Sequence, residues 1–390
     1  VKKFLYIAPV LIDDNKPDGV AKKVLSQVSV FEKKYKCTLM SYSNNGLRKY
    51  NSTGINYINY SSNIHRRFNL YNAVSELVKN EFFDYVYIRY PKSEFKFIEL
   101  LKYLKNKGTK IVVEIPTFPY YGEIGNSFVS CGIAAADYLF RTQLKKYVDR
   151  IITFSDDKKI FGIKTINTIN GIIFDNVECK KENNVNVSDT IIMVGAAAIR
   201  SVQGWDRIIK GMNYYYRNGG TQKILFNIVG EGPHLNQYRE LVTKYGLEDR
   251  VVFHGFQSGI ALDALYNSAD IGVNSIAIHR DKLKVESTLK TKEYVAKGLP
   301  IISSYPIDAF SQEENRKYVL QVTPDETPVQ IKSIIEFYHR LHGTSAKKNT
   351  FLAQNIREAA RKKCDMKKTL EKVFEYFDII GEVNDRKVKS

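Results

Sequence analysis

Residues 285–304, VESTLKTKEYVAKGLPIISS, set two lysines, Lys290 and Lys292, beside the acid Glu293 at the head of a short helical pattern. The pattern runs from Thr288 to Lys297, is closed by Gly298 and Pro300, and leads into a buried strand. The amino end of a helix carries about half a positive charge, so an exposed lysine there is unfavourable by about 0.3–1 kcal/mol. Two readings stand. Lys290 and Lys292 are solvated side chains of a lysine-rich chain, or they join the free first-turn N–H groups in holding an anion. Other chemistries leave little trace. No G-x-G-x-x-G follows the first strand and no G-x-x-x-x-G-K-[ST] occurs, which argues against NAD, FAD and Walker-type nucleotide sites. Cys37, Cys131, Cys179 and Cys364 are scattered, without C-x-x-C or zinc spacing, and read as reduced thiols. None of the six histidines stands at a catalytic motif.

The elements that must position these residues alternate regularly. Strand patterns are read at KFLYIAP (3–9), CTLMSYS (37–43), INYINY (55–60), DYVYIRY (84–90), KIVVEIP (110–116) and RIITFS (150–155). A second series is TIIMVG (190–195), KILFNIVG (223–230), VVFHG (251–255), IGVNS (271–275), PIISS (300–304) and YVLQV (318–322). In the first half the helical patterns between them include Gly19–Tyr35, Phe68–Lys79, Ser93–Asn106 and Ile133–Val148. Strands alternating with helices predict parallel sheets covered on both faces, and two such series predict two doubly wound domains. The expected division is 1–169, a linker at 170–189 rich in Asn, Asp and Lys, 190–365, and a C-terminal helix and tail at 366–390. Leu370, Val373, Phe374 and Phe377 fall at helical spacing, so that last helix is expected to cross back to the first domain. Ligands are expected at the carboxyl ends of the strands, in a cleft between the two domains.

Composition bounds the partners. The chain has 390 residues, 44% hydrophobic and 26% charged, with a net charge of +17 that leans to the first half. Basic clusters lie at Lys22/Lys23, Lys33/Lys34/Lys36, His65/Arg66/Arg67 and Arg141/Lys145/Lys146. Such a face attracts nucleic acid, anionic lipid or anionic small molecules, and the lack of any nucleic-acid-binding pattern makes the first the weakest. No apolar run reaches the roughly 18 residues of a membrane helix, and VKKFLYIAPVLIDD reads as a first strand rather than a signal peptide.

Five segments of the second half, VGAAAIRSVQGWDRIIKGM, FNIVGEGPHLNQYRELV, DRVVFHGF, LYNSADIGVNS and LKTKEYVAKGLPII, resemble in order and spacing the family 4 glycosyltransferases. DYVYIRYPKSEF and KIVVEIPTFPYYGE in the first half resemble a bacterial cell-surface polysaccharide branch of that group. The resemblance covers nearly the whole chain and is most specific at 190–304. It implies the GT-B fold, a retaining transfer of a sugar from a nucleotide-sugar, no metal or other cofactor, and an acceptor that is a glycan or a polyprenyl-diphosphate-linked sugar. It also implies capsule or exopolysaccharide synthesis. The reduced thiols fit a cytoplasmic protein, and the basic first domain fits either a peripheral place at the anionic inner leaflet or a generally basic proteome. Glu293 matches the second Glu of the family's E-x7-E motif, the ribose acceptor, and Lys290 then becomes a pyrophosphate contact. Ser287, Thr288, Leu289, Gly232 and Gly255 complete the implied donor site, while Gly19, Thr117, Tyr120 and Arg89 are the acceptor-side candidates.

The sequence departs from that pattern in four places. Glu286, implied as catalytic together with Lys290, stands seven rather than eight residues before Glu293, with Val285 in the family register. Either a local adjustment brings Glu286 to the sugar or that contact is made otherwise. Ala196 and Gln203 replace the family's Arg and Lys, leaving Arg200, Arg280 and Lys284 as candidate substitutes. The first domain's histidine is missing from EIPTFPY, and one glycine, Gly19, stands where a pair is frequent. These departures keep a second reading open, a catalytically silent GT-B protein that binds glycans or a partner. A third, an epimerase or sugar-nucleotide hydrolase, would need a carboxylate and histidine set that is not seen.

Overall fold

The computed structural model describes residues 1–15, 17–44, 46–60, 66–120, 128–181, 189–281, 287–344, 347–348 and 351–388. It divides into two compact units, Val1–Ile169 with Thr369–Ser390, and Asn170–Lys368. Part of the expected linker, 182–188, lies outside the described residues, as does Glu286.

The first unit is built on β1 (Lys3–Leu11), β2 (Lys36–Ser43), β3 (Gly46–Asn51), β4 (Gly54–Asn59), β5 (Tyr85–Arg89), β6 (Lys110–Ile115), β7 (Arg150–Thr153), β8 (Lys159–Ile160) and β9 (Ile163–Asn167). Their order is β4-β3-β2-β1-β5-β6-β7-β9-β8. The run from β2 through β9 is parallel, and an antiparallel strand or hairpin extends each edge. Phe4 through Ala8 are buried on both faces of the sheet, which is why β1 reads as an unbroken apolar run. Helices α1 (Gly19–Phe31), α2 (Arg66–Asn80), α3 (Phe95–Asn106) and α4 (Phe128–Phe140) cover it. The pattern expected to continue to Val148 instead tightens into a 3-10 turn over Arg141–Lys146. β3 escapes the sequence pattern because a buried residue in it is charged: Arg48 makes a two-pronged bond to Asp14 at 2.8 and 2.9 Å.

The second unit has β10 (Thr190–Ala196), β11 (Lys223–Val229), β12 (Val251–Phe253), β13 (Ile271–Val273), β14 (Ile301–Ser303) and β15 (Val319–Gln321), all parallel in the order β12-β11-β10-β13-β14-β15. With them go α5 (Asp206–Arg217), α6 (Leu235–Tyr245), α7 (Gly259–Ser268), α8 (Leu289–Lys297), α9 (Ile331–His342) and α10 (Leu352–Cys364). The last helix, α11 (Met366–Val388), belongs from Thr369 onward to the first unit. Its Phe374 packs on Phe31 and its Phe377 on Phe4, with ring centroids 5.3 and 5.9 Å apart. The Tyr85 hydroxyl donates to the Phe377 carbonyl at 3.1 Å. Each unit therefore has one topological switch, between β1 and β5 in the first and between β10 and β13 in the second, where strand order reverses and a crevice opens at the carboxyl ends.

Candidate functional site

In the second unit the switch brings the end of β10, the end of β13 and the start of α8 together. Tyr294 of α8 makes the join. Its hydroxyl accepts the Ala196 N–H at 2.8 Å, and a Cβ on Gly272 would lie 2.6 Å from its ring, so β13 needs glycine there. Gly298, left-handed at φ 85°, ends the helix by donating to the Tyr294 and Val295 carbonyls. At the other end Thr288 occupies the N-cap without a side-chain cap, and the first turn carries no acid. Among the described residues, the positive pole of α8 thus has no carboxylate in its first turn.

Lys290 is half-buried, and its ammonium donates to Gln203 Oε1 at 2.5 Å and Ser275 Oγ at 2.8 Å. Gln203, which stands where the family resemblance places a lysine, thereby helps to locate the lysine that is present. Glu293 lies one turn further along, on the same side of the helix as Lys290. Its Oε2 accepts from the Tyr266 hydroxyl at 2.9 Å, and burial next to Glu293 pushes that phenol well up, so it remains a donor. A cation, an open helix end and an oriented carboxylate are what a nucleoside diphosphate requires.

Several expected residues have other employment. Lys292 is not solvated: it is fully buried and paired with Asp308. Ser287 belongs to that network, its Oγ donating to Asp308 at 2.5 Å while accepting the Asn170 N–H at 2.9 Å. Arg280 spends all its N–H groups on Glu326, Asp206 and the Ser201 carbonyl. A guanidinium has five such donors, so none is left to replace the missing family arginine. Arg200 is exposed and paired with Asp281 at 2.8 Å, and Lys284 lies outside the described residues. Gly232 has a sufficient backbone reason: its φ is 157°, and a Cβ would stand 2.4 Å from the Ile199 carbonyl oxygen. Gly255, at φ 63°, offers its carbonyl to the Gly230 N–H at 2.7 Å, while Thr288 and Leu289 stay half-buried at the helix mouth.

The acceptor-side candidates lie in the first unit. Gly19 opens α1, but Asp18 caps that end, accepting the Ala21 N–H at 2.7 Å, so this helix already has its own anion. Thr117 is half-buried in the loop after β6. Tyr120 is buried and donates to Asp137 at 2.5 Å, with the Lys92 ammonium 3.3 Å from its ring centroid. Arg89, at the end of β5, bonds Glu114 Oε1 at 2.8 Å. The same oxygen accepts from Lys23 at 2.9 Å, and Oε2 accepts from Gln27 at 2.9 Å and Tyr87 at 2.6 Å. Lys23 is thus a buried partner of Glu114, not part of a basic face, whereas Lys22 remains exposed.

Burial would raise the Glu114 carboxyl, but Lys23 and Arg89 outweigh it and hold the group down to about 2. Burial also pulls the Lys23 ammonium down to about 8, against the attraction of Glu114. Because the folded Glu114 value lies below the unfolded one, its contribution is complete above the ordinary carboxyl value of 4.5 and is lost as pH falls toward about 2. The melting-temperature gap between wild type and Glu114→Gln should therefore close across that interval. A gap unchanged by pH would mean that Glu114 is not ionised in the fold.

Among the described residues, no group of three or more His, Cys, Asp or Glu side chains is placed to hold a metal, and no helix is long and apolar enough to cross a membrane. Two Rossmann-like α/β domains with parallel sheets define the fold class, that of the GT-B glycosyltransferases. Residues 188–338, most of the second unit, match the family model described as glycosyl transferases group 1. A glycosyltransferase from Rickettsia africae ESF-5 is similar at 16% identity and a TM-score of 0.64, over 97% of this chain and 99% of that one. HepE of Anabaena, solved in complex with UDP, is similar at 14% identity and a TM-score of 0.63, over 96% and 99%. Sucrose-phosphate synthase of Thermosynechococcus elongatus shares 13% identity with a TM-score of 0.68, over 98% and 100%. Among curated proteins the sequence comparison finds no match.

Proposed function

We propose that this chain is a retaining glycosyltransferase that moves a hexosyl group from a nucleotide-sugar to a glycan or a lipid-linked acceptor. The observation that carries the reading is the open amino end of α8, with Lys290 and Glu293 on it, at the switch point of the domain that matches the family model. In this reading Glu293 accepts from the ribose hydroxyls. Lys290 and the helix N–H groups stabilise the charge that develops on the diphosphate as the anomeric carbon becomes oxocarbenium-like. Such a reaction needs no pair of protein carboxylates, unlike glycoside hydrolysis. We further read the acceptor as part of bacterial surface polysaccharide synthesis on the inner leaflet, where each lysine or arginine near an anionic surface adds on the order of 1 kcal/mol.

The replacement of the family's Arg and Lys by Ala196 and Gln203, with Arg280 fully engaged, favours one rival, a catalytically silent binding protein. A thermal-shift panel of UDP, GDP, ADP and dTDP with their sugars, without divalent metal, tests the main reading. A matching nucleotide at about a hundred times its Kd adds about 2.7 kcal/mol of apparent stability, a rise of a few degrees. The expected result is one such nucleotide, followed by sugar transfer or donor hydrolysis. No shift with any nucleotide at millimolar concentration would put the binding protein first.

A further inference from the structure

The charged cluster around Glu114 is not explained by folding alone. Tyr6, Tyr87, Arg89 and Glu114 share one face of the first sheet, since Tyr6 is level with Tyr87 and Arg89 with Glu114 in the strand registers. Helix α1 covers that face and contributes Lys23 and Gln27. Glu114 has no exposure, and four hydrogen bonds from its own chain fill its acceptor capacity. Two cations then face one anion, which leaves a positive charge uncompensated beneath the ends of the strands. A buried charged set of this kind gives little stability over an apolar core of the same volume.

The geometry shows where that charge is directed. Lys23 is enclosed, its ammonium 4.3 Å from the centroid of the Phe154 ring. Arg89 is the last residue of β5 and keeps 19% of its side chain in contact with solvent. Among the described residues its guanidinium bonds only Glu114, through Nη1, which leaves Nε and Nη2 as a second donor edge. That edge stands at the β1–β5 switch, where a doubly wound sheet opens its ligand crevice. The amino end of α1 does not compete for an anion there, because Asp18 caps it.

We propose that Arg89 binds a phosphoryl group of the acceptor, and that Glu114, Gln27, Tyr87 and Lys23 are positioning residues that hold its guanidinium against the sheet. That the ligand is an acceptor rests on the glycosyltransferase reading, but the anion site itself does not. A planar guanidinium held through Nη1 presents its Nε/Nη2 edge to two phosphoryl oxygens, which a lysine cannot do. The phosphoryl group can come from a prenyl diphosphate carrier or from a soluble sugar phosphate.

Calorimetric titration of the full chain with farnesyl diphosphate and with glucose 1-phosphate, each in saturating UDP to occupy the donor site, tests the proposal. Wild type should bind one of the two, and the tighter probe identifies the source. Arg89→Gln should weaken that binding by about tenfold or more, the usual cost of a charge-assisted hydrogen bond, with UDP affinity unchanged. Arg89→Lys, which keeps the charge and loses the fork, should fall between the two and serves if the glutamine variant does not fold. Glu293→Gln should show the opposite pattern, weaker UDP binding with the phosphoryl probe retained. Wild type that binds neither probe, or Arg89→Gln that binds as wild type does, overturns the proposal. A failure of UDP to bind, with phosphoryl binding still dependent on Arg89, would remove the transferase reading and leave the anion site standing.

Discussion

Lys290→Ala should lower turnover by about 10²–10³-fold while moving the melting temperature by no more than a few degrees. The size follows from the loss of one preorganised donor aimed at charge that develops in the transition state. The small structural cost follows from what Lys290 touches. Two of its partners, Gln203 and Ser275, bond each other at 3.1 Å and lose one hydrogen bond each. That loss is about 1 kcal/mol, offset in part by removing a cation from the positive end of a helix. Glu293→Gln should differ in kind, raising KM for the donor more than it lowers kcat, because the amide still accepts one uncharged hydrogen bond. Transfer kinetics and melting curves for both variants provide the check. Wild-type kinetics in Lys290→Ala would mean that the first-turn lysine is no part of the site.

Lys292→Ala should unfold the second unit far more readily, with a loss of about 3–5 kcal/mol. The expectation reverses what the sequence suggests for a second lysine in the same turn. Lys292 has no exposure, and its removal leaves the Asp308 carboxylate, which is 15% exposed, without its counter-charge. Ser287 and the Asn170 backbone are bonded into the same network and lose their anchor with it. The double variant Lys292→Met/Asp308→Leu should regain much of the loss, because it removes both charges and keeps the volume. Equal melting temperatures for wild type and Lys292→Ala would contradict the buried pair.

The contrast between these two lysines shows how far sequence reading reaches. Sequence position makes them alike, since both stand in the first turn of a helix ended by Gly298. Lys290 and Glu293 were legible as a pair through the resemblance to the family's E-x7-E motif, and a helix of 3.6 residues per turn sets the two positions on one side. The fate of Lys292 depends on Asp308, which stands beyond β14, and no local spacing relates them. Arg280 is a similar case: its partners Asp206 and Glu326 lie far away along the chain in opposite directions. The first-unit cluster was hardest to see. Its one visible signal is an acid, Glu114, inside the otherwise apolar strand KIVVEIP. Only the registers of β5 and β6 and the docking of α1 bring Arg89, Tyr87 and Lys23 to it.

By itself the sequence determined the doubly wound architecture, because apolar runs of strand length alternating with amphipathic stretches can bury their surface in few other ways. It also determined where α8 begins and ends, since caps and helical periodicity are local. Tertiary structure alone decided which charges remain available to a ligand. A side chain's charge is read from its type, but its freedom depends on burial and on partners supplied by distant segments. Lys290 is half-buried and bonded to amide and hydroxyl oxygens, while Lys292, Arg280 and Lys23 are paired with carboxylates within the fold.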